Sequence, residues 1–219
     1  MAIKAILFNT EMVRAILEGR KSCARRIVKP QQLIGMLPDK CKNGAPEKFL
    51  KEKKLMFKPY CDMTDIELIN TAYKAPYQPG DILYVRETWK KAPNGYYYYE
   101  DWQRNDIADV TKWKPSIRMP KEAARIWLKV TNVRVEHLQE ITDEQAKREG
   151  IQYDECPTGF TWKQETDMHN CYTTPIGAMQ ALWNSTIKKS DLDGYGWDAN
   201  PWVWTIEFER CEKPEEISG

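Results

Sequence analysis

The strongest constraint on the fold of this 219-residue chain is a pair of long stretches that alternate apolar and polar side chains. From Arg125 to Leu138, the residues Ile126, Leu128, Val130, Val133 and Val135 recur at a period of two, with a slip near Thr131 and Asn132. A slip of one residue inside such a pattern is the mark of a bulge or bend in a strand. From Trp202 to Arg210, the set Trp202, Trp204, Ile206 and Phe208 alternates with Val203, Thr205, Glu207 and Glu209. Each stretch has one face for a core and one for polar groups, so a sheet is required and any helices must pack around it.

Shorter elements fit around this pair. Residues 3–8 read as a strand, and Thr10 caps a short helix with Val13, Ile16 and Leu17 on one stripe. Gly19 ends that helix and delivers the basic run Arg20-Lys21-Ser22-Cys23-Ala24-Arg25-Arg26 just past it. Residues 31–75 read as an irregular insertion with a helix near 64–72. Pro79-Gly80-Asp81 then turns into a buried strand from Ile82 to Glu87. Tyr96 to Tyr99 suits a strand after the Pro93-Asn94-Gly95 turn, and Trp113 to Pro120 an extended loop. Thr142 with Gln145 forms a capping-box pattern for a helix that Gly150 closes. Residues 174–187 form an amphipathic helix, whereas 152–172 are irregular. The expected fold is therefore α+β: a small, mostly antiparallel β-barrel with short peripheral helices. It forms one domain over 1–211, with insertions at about 31–75 and 152–172 and a disordered tail at 212–219.

Composition narrows the partners. Apolar residues make up 42% of the chain and charged ones 30%, so a core is possible but most charges must be solvated or paired. No apolar run approaches the ~18–20 residues that cross a bilayer, and no secretory leader is recognisable; a soluble cytoplasmic protein without membrane partners is expected. The six cysteines form no Cys-x-x-Cys pair and there are two histidines, so free thiols are expected rather than a metal site, and no cofactor. His169 and Cys171 have ligand chemistry, but nothing near them completes a set. Net charge is +1, yet residues 1–60 hold 14 Lys/Arg against 5 Asp/Glu, and the remainder 19 against 27. The N-terminal quarter thus supplies a positive face of the kind that attracts phosphates.

The helix ending Ile16-Leu17-Glu18-Gly19-Arg20-Lys21, followed by Arg25-Arg26, is similar to the N-terminal motif of the ASCH (ASC-1 homology) family. The order of later blocks is similar too: Pro79-Gly80-Asp81 into Ile82–Arg86, the strand from Trp127, the helix from Ile141 to Gly150, and the closing strand from Trp202. Val85-Arg86-Glu87-Thr88-Trp89 and Tyr195-Gly196-Trp197-Asp198 look like tracts of phage and prophage ASCH proteins. The likeness covers roughly half the chain in four blocks. It implies a PUA-like β-barrel with a cleft beside the first helix, and RNA or modified-nucleoside handling. The bacterial N4-acetylcytidine amidohydrolase branch of the family uses a Lys, a Thr and a Glu. Lys21 matches the Lys and Glu149 the Glu, but Ala24 stands where that branch has Thr.

The chemistry of these side chains supports several readings. A lysine in a cleft polarises a carbonyl, and a glutamate opposite it activates water or moves a proton, so Lys21 and Glu149 are the candidate catalytic pair. Arg20, Lys21, Ser22, Arg25 and Arg26 are candidate contacts to a nucleotide or RNA, the guanidinium groups matching phosphate oxygens. Arg86 and Glu87 either line the cleft or form an internal ion pair. Trp127, Trp183, Trp202 and Trp204 are expected in the core, while one of Trp89, Trp102, Trp113 and Trp197 is a candidate platform for a base. The expected function is binding of RNA or a modified nucleotide at a cleft centred on Lys21. Hydrolysis of an N-acylated nucleoside by Lys21 and Glu149 is the alternative, and a ribonuclease a third.

Overall fold

The computed structural model describes residues 1–29, 64–103, 112–153, 159–162 and 171–215. The helix expected near 64–72 is present, but most of the first insertion, and much of the second, lies outside these residues, as do Cys41, Cys61, Cys156, His169 and the side chain of Trp102.

One five-stranded sheet organises the molecule. Its strands are β1 (Ile3–Leu7), β2 (Cys23–Ile27), β3 (Ile82–Arg86), β6 (Trp127–His137) and β9 (Trp202–Cys211), in the order β1-β3-β6-β9-β2. β6 and β9, the two alternating stretches, pair antiparallel at the centre. The sheet is open rather than the closed barrel expected from the sequence. β1 and β2 are its two edges, and β1 runs parallel to β3. No backbone ladder joins the edges; instead Arg26 crosses from β2 and donates from Nη2 to the Leu7 carbonyl of β1 at 3.1 Å.

The expected slip in β6 is a bulge between Val130 and Asn132. Before it the even-numbered Leu128 and Val130 face the main core, and after it the odd-numbered Val135 does, so one extra residue keeps a single apolar face. That face packs Ala24, Leu83, Val85, Trp204, Ile206 and Phe208 against α1 (Thr10–Leu17) and α2 (Asp65–Ala72). Asn9, one residue earlier than expected, caps α1 by accepting the Met12 amide on Oδ1 at 2.8 Å.

The opposite face is covered in two parts. At one end lie a hairpin of β4 (Trp89–Ala92) and β5 (Gly95–Tyr98), the short α3 (Tyr99–Gln103) and two 3-10 turns at Ser116–Arg118 and Lys121–Ala123. The first of these turns lies within Trp113 to Pro120, the stretch read as an extended loop. At the other end α4 (Asp143–Arg148) and α5 (Pro175–Thr186) bury Leu138, Ala146, Met179, Leu182 and Trp183. The capping box of Thr142 and Gln145 forms as the sequence predicts. β7 (Gln152–Tyr153) pairs with β8 (Phe160–Thr161), and α6 (Leu192–Tyr195) precedes the closing strand.

Cys23 and Cys211 are free thiols, but Cys171 is disulfide-bonded, a correction to the expectation of free cysteines throughout. No described helix is long and apolar enough to cross a membrane.

Gly150 positions the end of α4 against α1. Its φ is +107°, and a Cβ there would lie 3.0 Å from Ala15 Cβ. Gly150→Ala is expected to cost about 1–3 kcal/mol through backbone strain and crowding, read as a lower urea midpoint at unchanged slope.

Candidate functional site

The C-terminal end of α4 and the segment before β2 are bound together by three successive carbonyls. Arg148 O accepts the Ser22 amide at 2.9 Å, Glu149 O accepts Lys21 Nζ at 2.8 Å, and Gly150 O accepts Arg20 Nη1 at 2.6 Å. The last carbonyls of a helix have no partner within it and carry its negative dipole end, so cationic donors are favoured there. Arg20 also pairs with Glu18 at 2.7 Å. Ser22 Oγ accepts Arg148 Nε at 3.2 Å.

Lys21 and Glu149 meet directly. Lys21 Nζ lies 2.7 Å from Glu149 Oε2, with side-chain exposures of 1% and 4%. The ammonium also sits 5.5 Å from the centre of the Phe8 ring. Arg25, on β2, donates from Nη1 to Glu149 Oε1 at 2.9 Å and from Nη2 to Glu136 Oε1 at 2.7 Å. Its Nη2 also reaches Gln145 Oε1 at 3.1 Å. Glu136 accepts the Thr205 hydroxyl at 2.7 Å and Arg134 Nε at 2.7 Å. Arg134 in turn pairs with Glu207. The strand register explains the assembly: Arg25, Thr205 and Arg134 are successive cross-strand partners, so their side chains share the face opposite the main core.

Burial alone would raise the Glu136 carboxyl. The Thr205 hydrogen bond and the Arg25 and Arg134 guanidinium groups outweigh it and hold the acid below the ordinary glutamate range. Cys23 shows the reverse. Burial first, and then the Glu149 charge, push its thiol up to about 12, so it stays a neutral thiol near pH 7.

A cavity of about 320 Å³ opens on this network. Lys21, Arg25, Arg26 and Glu149 supply its charged wall, three cations against one carboxylate. Met12, Met179, Leu182 and Trp183 supply an apolar one, with Leu7, Asn9 and Thr186 completing the lining. Arg25 Nε is buried without a partner among the described residues. Arg26 donates to the Arg25 and Leu7 carbonyls at 3.1 Å each and lies 5.5 Å from the centre of the Phe8 ring.

Lys21, Arg25, Arg26 and Glu149 are thus brought together, with Arg20 and Ser22 beside them on the α4 end. Arg25 is fully buried and held by carboxylates, rather than exposed as a surface phosphate contact would be. Ala24 faces the main core at 1% exposure and does not line the cavity. Arg86 and Glu87 do not line it either. Arg86 bonds the Ile117 carbonyl and Tyr84 hydroxyl at 3.2 Å each, while Glu87 pairs with Arg125 at 2.9 Å. Trp89 and Trp197, two of the proposed base platforms, are buried and packed, and Trp113 meets Tyr99 edge-on. The tryptophan at the cavity is Trp183, whose α5 stripe reads as core. Its signal is indistinguishable from ordinary helix burial, and Asn9 and Met12 show only as parts of a helix start.

No protein-family model and no curated protein matches the chain. Among solved structures it is similar to the ASCH domain from Lactobacillus crispatus JV V101. Identity is 11%, the match covers 95% of this chain and 79% of that one, and the TM-score is 0.40.

The depressed Glu136 carboxyl fixes the sign of an acid effect. Its stabilisation is fully present above its unfolded value of about pH 4.3 and is lost as pH falls through the lower folded value. Glu136→Gln is expected to melt at lower temperature at pH 7 and to lose less stability than the wild type on acidification, measured by thermal melts from pH 7 to pH 3.

Proposed function

We propose that this chain is an ASCH-type domain that binds a modified nucleoside or nucleotide, free or within RNA, in the cavity over Lys21 and Glu149. The observation that carries this reading is the pairing of two unlike walls: a buried Lys21–Glu149–Arg25 array faces Met12, Met179, Leu182 and Trp183 across one small space. A nucleobase needs that combination, apolar surface for its faces and fixed donors and acceptors for its edge. An ammonium has three N–H groups, and two of those on Lys21 go to Glu149, which leaves one for a ligand carbonyl. About 320 Å³ lies at the small end of ligand pockets, which span ~300–1,000 Å³, and suits a single nucleoside. Arg26, with no carboxylate partner among the described residues, stands where a phosphate would leave the cavity. The cytoplasmic location expected from the sequence agrees with such a ligand.

Hydrolysis of an N-acylated nucleoside is the second reading, and the direct contact of Lys21 with Glu149 favours it. Two features count against turnover. Both Glu149 oxygens are already engaged by cations, so a water to be activated must displace one of them. Ala24 supplies no hydroxyl and faces the core. A ribonuclease has less support still: among the described residues no histidine lines the cavity, and His137 stacks on Trp202 with its ring centre 3.8 Å away.

Calorimetric titration with cytidine, N4-acetylcytidine and cytidine monophosphate tests both readings. Saturable binding of at least one is expected, weakened about tenfold or more in Lys21→Met through loss of a charge-assisted hydrogen bond. Thr186→Trp, which fills the cavity from an exposed position, is expected to abolish binding while leaving the melting temperature close to that of the wild type. Release of acetate by the wild type would move the assignment to the hydrolase. Absence of binding to all three ligands would overturn the nucleoside reading.

A further inference from the structure

A second cationic surface lies outside the cavity, on the β4–β5 hairpin and the segment packed beside it. Residues 86–99 and 112–125 together carry eight Lys or Arg against two Asp or Glu. One of those two acids, Glu87, is buried against Arg125. Lys114 joins the hairpin by backbone bonds, its amide donating to the Trp89 carbonyl at 2.8 Å and its carbonyl accepting from Trp89 at 3.2 Å.

The geometry arranges cations and rings in a row. Lys114 Nζ lies 5.0 Å from the centre of the Trp89 ring, Trp89 packs against Tyr96 at 5.7 Å, and Lys91 Nζ lies 5.9 Å from the Tyr96 ring. An aromatic ring holds an ammonium in place without neutralising it, as a carboxylate would. Lys90, Lys91, Lys112, Lys114 and Arg118 form no ion pair with any described carboxylate. Lys91, Lys112, Lys114 and Arg118 are exposed. Lys91 and Lys114 are thus held by rings, and no described carboxylate neutralises them.

The β1–β3 ladder links this surface to the cavity. Leu7 lines the cavity, and its partner across the β1–β3 ladder is Arg86. Cross-strand partners share a face, and Arg86 extends to the Ile117 carbonyl between Lys114 and Arg118. A strand of RNA with one nucleoside seated over Lys21 would therefore have a basic path along which its phosphates continue.

We infer that this hairpin face is a docking track for the phosphate backbone of single-stranded RNA, flanking the nucleoside cavity. The inference rests on the nucleoside reading for its direction, and on the row of unneutralised cations for its chemistry. It gives affinity without sequence choice, because phosphates are the same at every position. Any sequence preference then comes from the cavity.

Fluorescence anisotropy with a labelled single-stranded RNA of about ten nucleotides tests it. Each phosphate contact to a single strand contributes ~0.7 to the slope of log affinity against log salt. The triple variant Lys91→Gln, Lys114→Gln, Arg118→Gln is expected to lower that slope by about 2, so that the affinity lost between 50 and 200 mM salt shrinks roughly 20-fold. A matched variant, Lys188→Gln, Lys189→Gln, Lys213→Gln, is expected to leave the slope unchanged. Binding of free cytidine monophosphate is expected to be the same in all three proteins. An unchanged slope in the hairpin variant, or an equal fall in the matched control, would overturn the track. So would equal retention of the wild type by phosphatidylserine vesicles, which would make the face a general anionic surface. Mononucleotide binding without tighter RNA binding would sink the track alone. RNA binding with the expected slope, but no mononucleotide binding, would sink the cavity reading and leave the track standing.

Discussion

The arrangement of the whole site depends on how the end of α4 is closed. A helix that stops inside a protein leaves carbonyls that must find donors. Here the donors come from residues 20–22, more than 120 positions earlier in the chain. Lys21 serves both the carbonyl and the carboxylate of Glu149, and Arg25 takes the other carboxylate oxygen. Charges then alternate through Glu136, Arg134 and Glu207 across β6 and β9. Replacing such an array with apolar residues need not destabilise a protein, but removing one member strands another in a dry environment, at a cost of ~3–5 kcal/mol. The array therefore fixes where α4, β2 and the central strands sit relative to one another. It also leaves Lys21 and Arg25 preorganised at the wall of the cavity.

Central elements of the fold were legible because their signals are local. The bulge in β6 is written in the change from even-numbered to odd-numbered apolar residues, and the cap of α4 in Thr142 and Gln145. β2 was not legible. Cys23-Ala24-Arg25-Arg26-Ile27 reads as a charged surface segment, since the carboxylates that neutralise Arg25 lie 111 and 124 residues away. Only knowledge of its neighbours shows that it is a strand with a buried arginine. Sheet closure was misjudged for a related reason. Alternation gives each strand two faces, but whether the edge strands pair depends on the parallel β1–β3 contact and on the gap that Arg26 spans.

The candidate site was read unevenly. Lys21 and Glu149 came from a resemblance rather than from spacing, and the fold places them in direct contact. Arg25 and Arg26 are neighbours in sequence but point to opposite faces of β2, one into the ion array and the other towards Phe8 and Leu7. A run of basic residues does not reveal that division until the strand is known. Tryptophans were harder, because a ring that lines a cavity and a ring that fills a core both sit on apolar stripes. Trp183 does both, packing within the α4–α5 cluster while its surface closes the cavity.

The two cationic regions differ in the physics that surrounds them. Lys21 and Arg25 lie in an enclosed array, where counter-charges are at hydrogen-bond distance and salt screens little. Lys91, Lys112, Lys114 and Arg118 are exposed, and mobile ions compete for them freely. Enclosed charges suit recognition of one chemical group, because their positions are fixed and their hydrogen bonds directional. Exposed charges suit attraction of a polyanion, because the field extends for a Debye length and requires no single geometry. A chain with a net charge of only +1 can carry both regions, since part of its acidic complement lies inside the buried array and Lys91, Lys112, Lys114 and Arg118 pair with no described carboxylate.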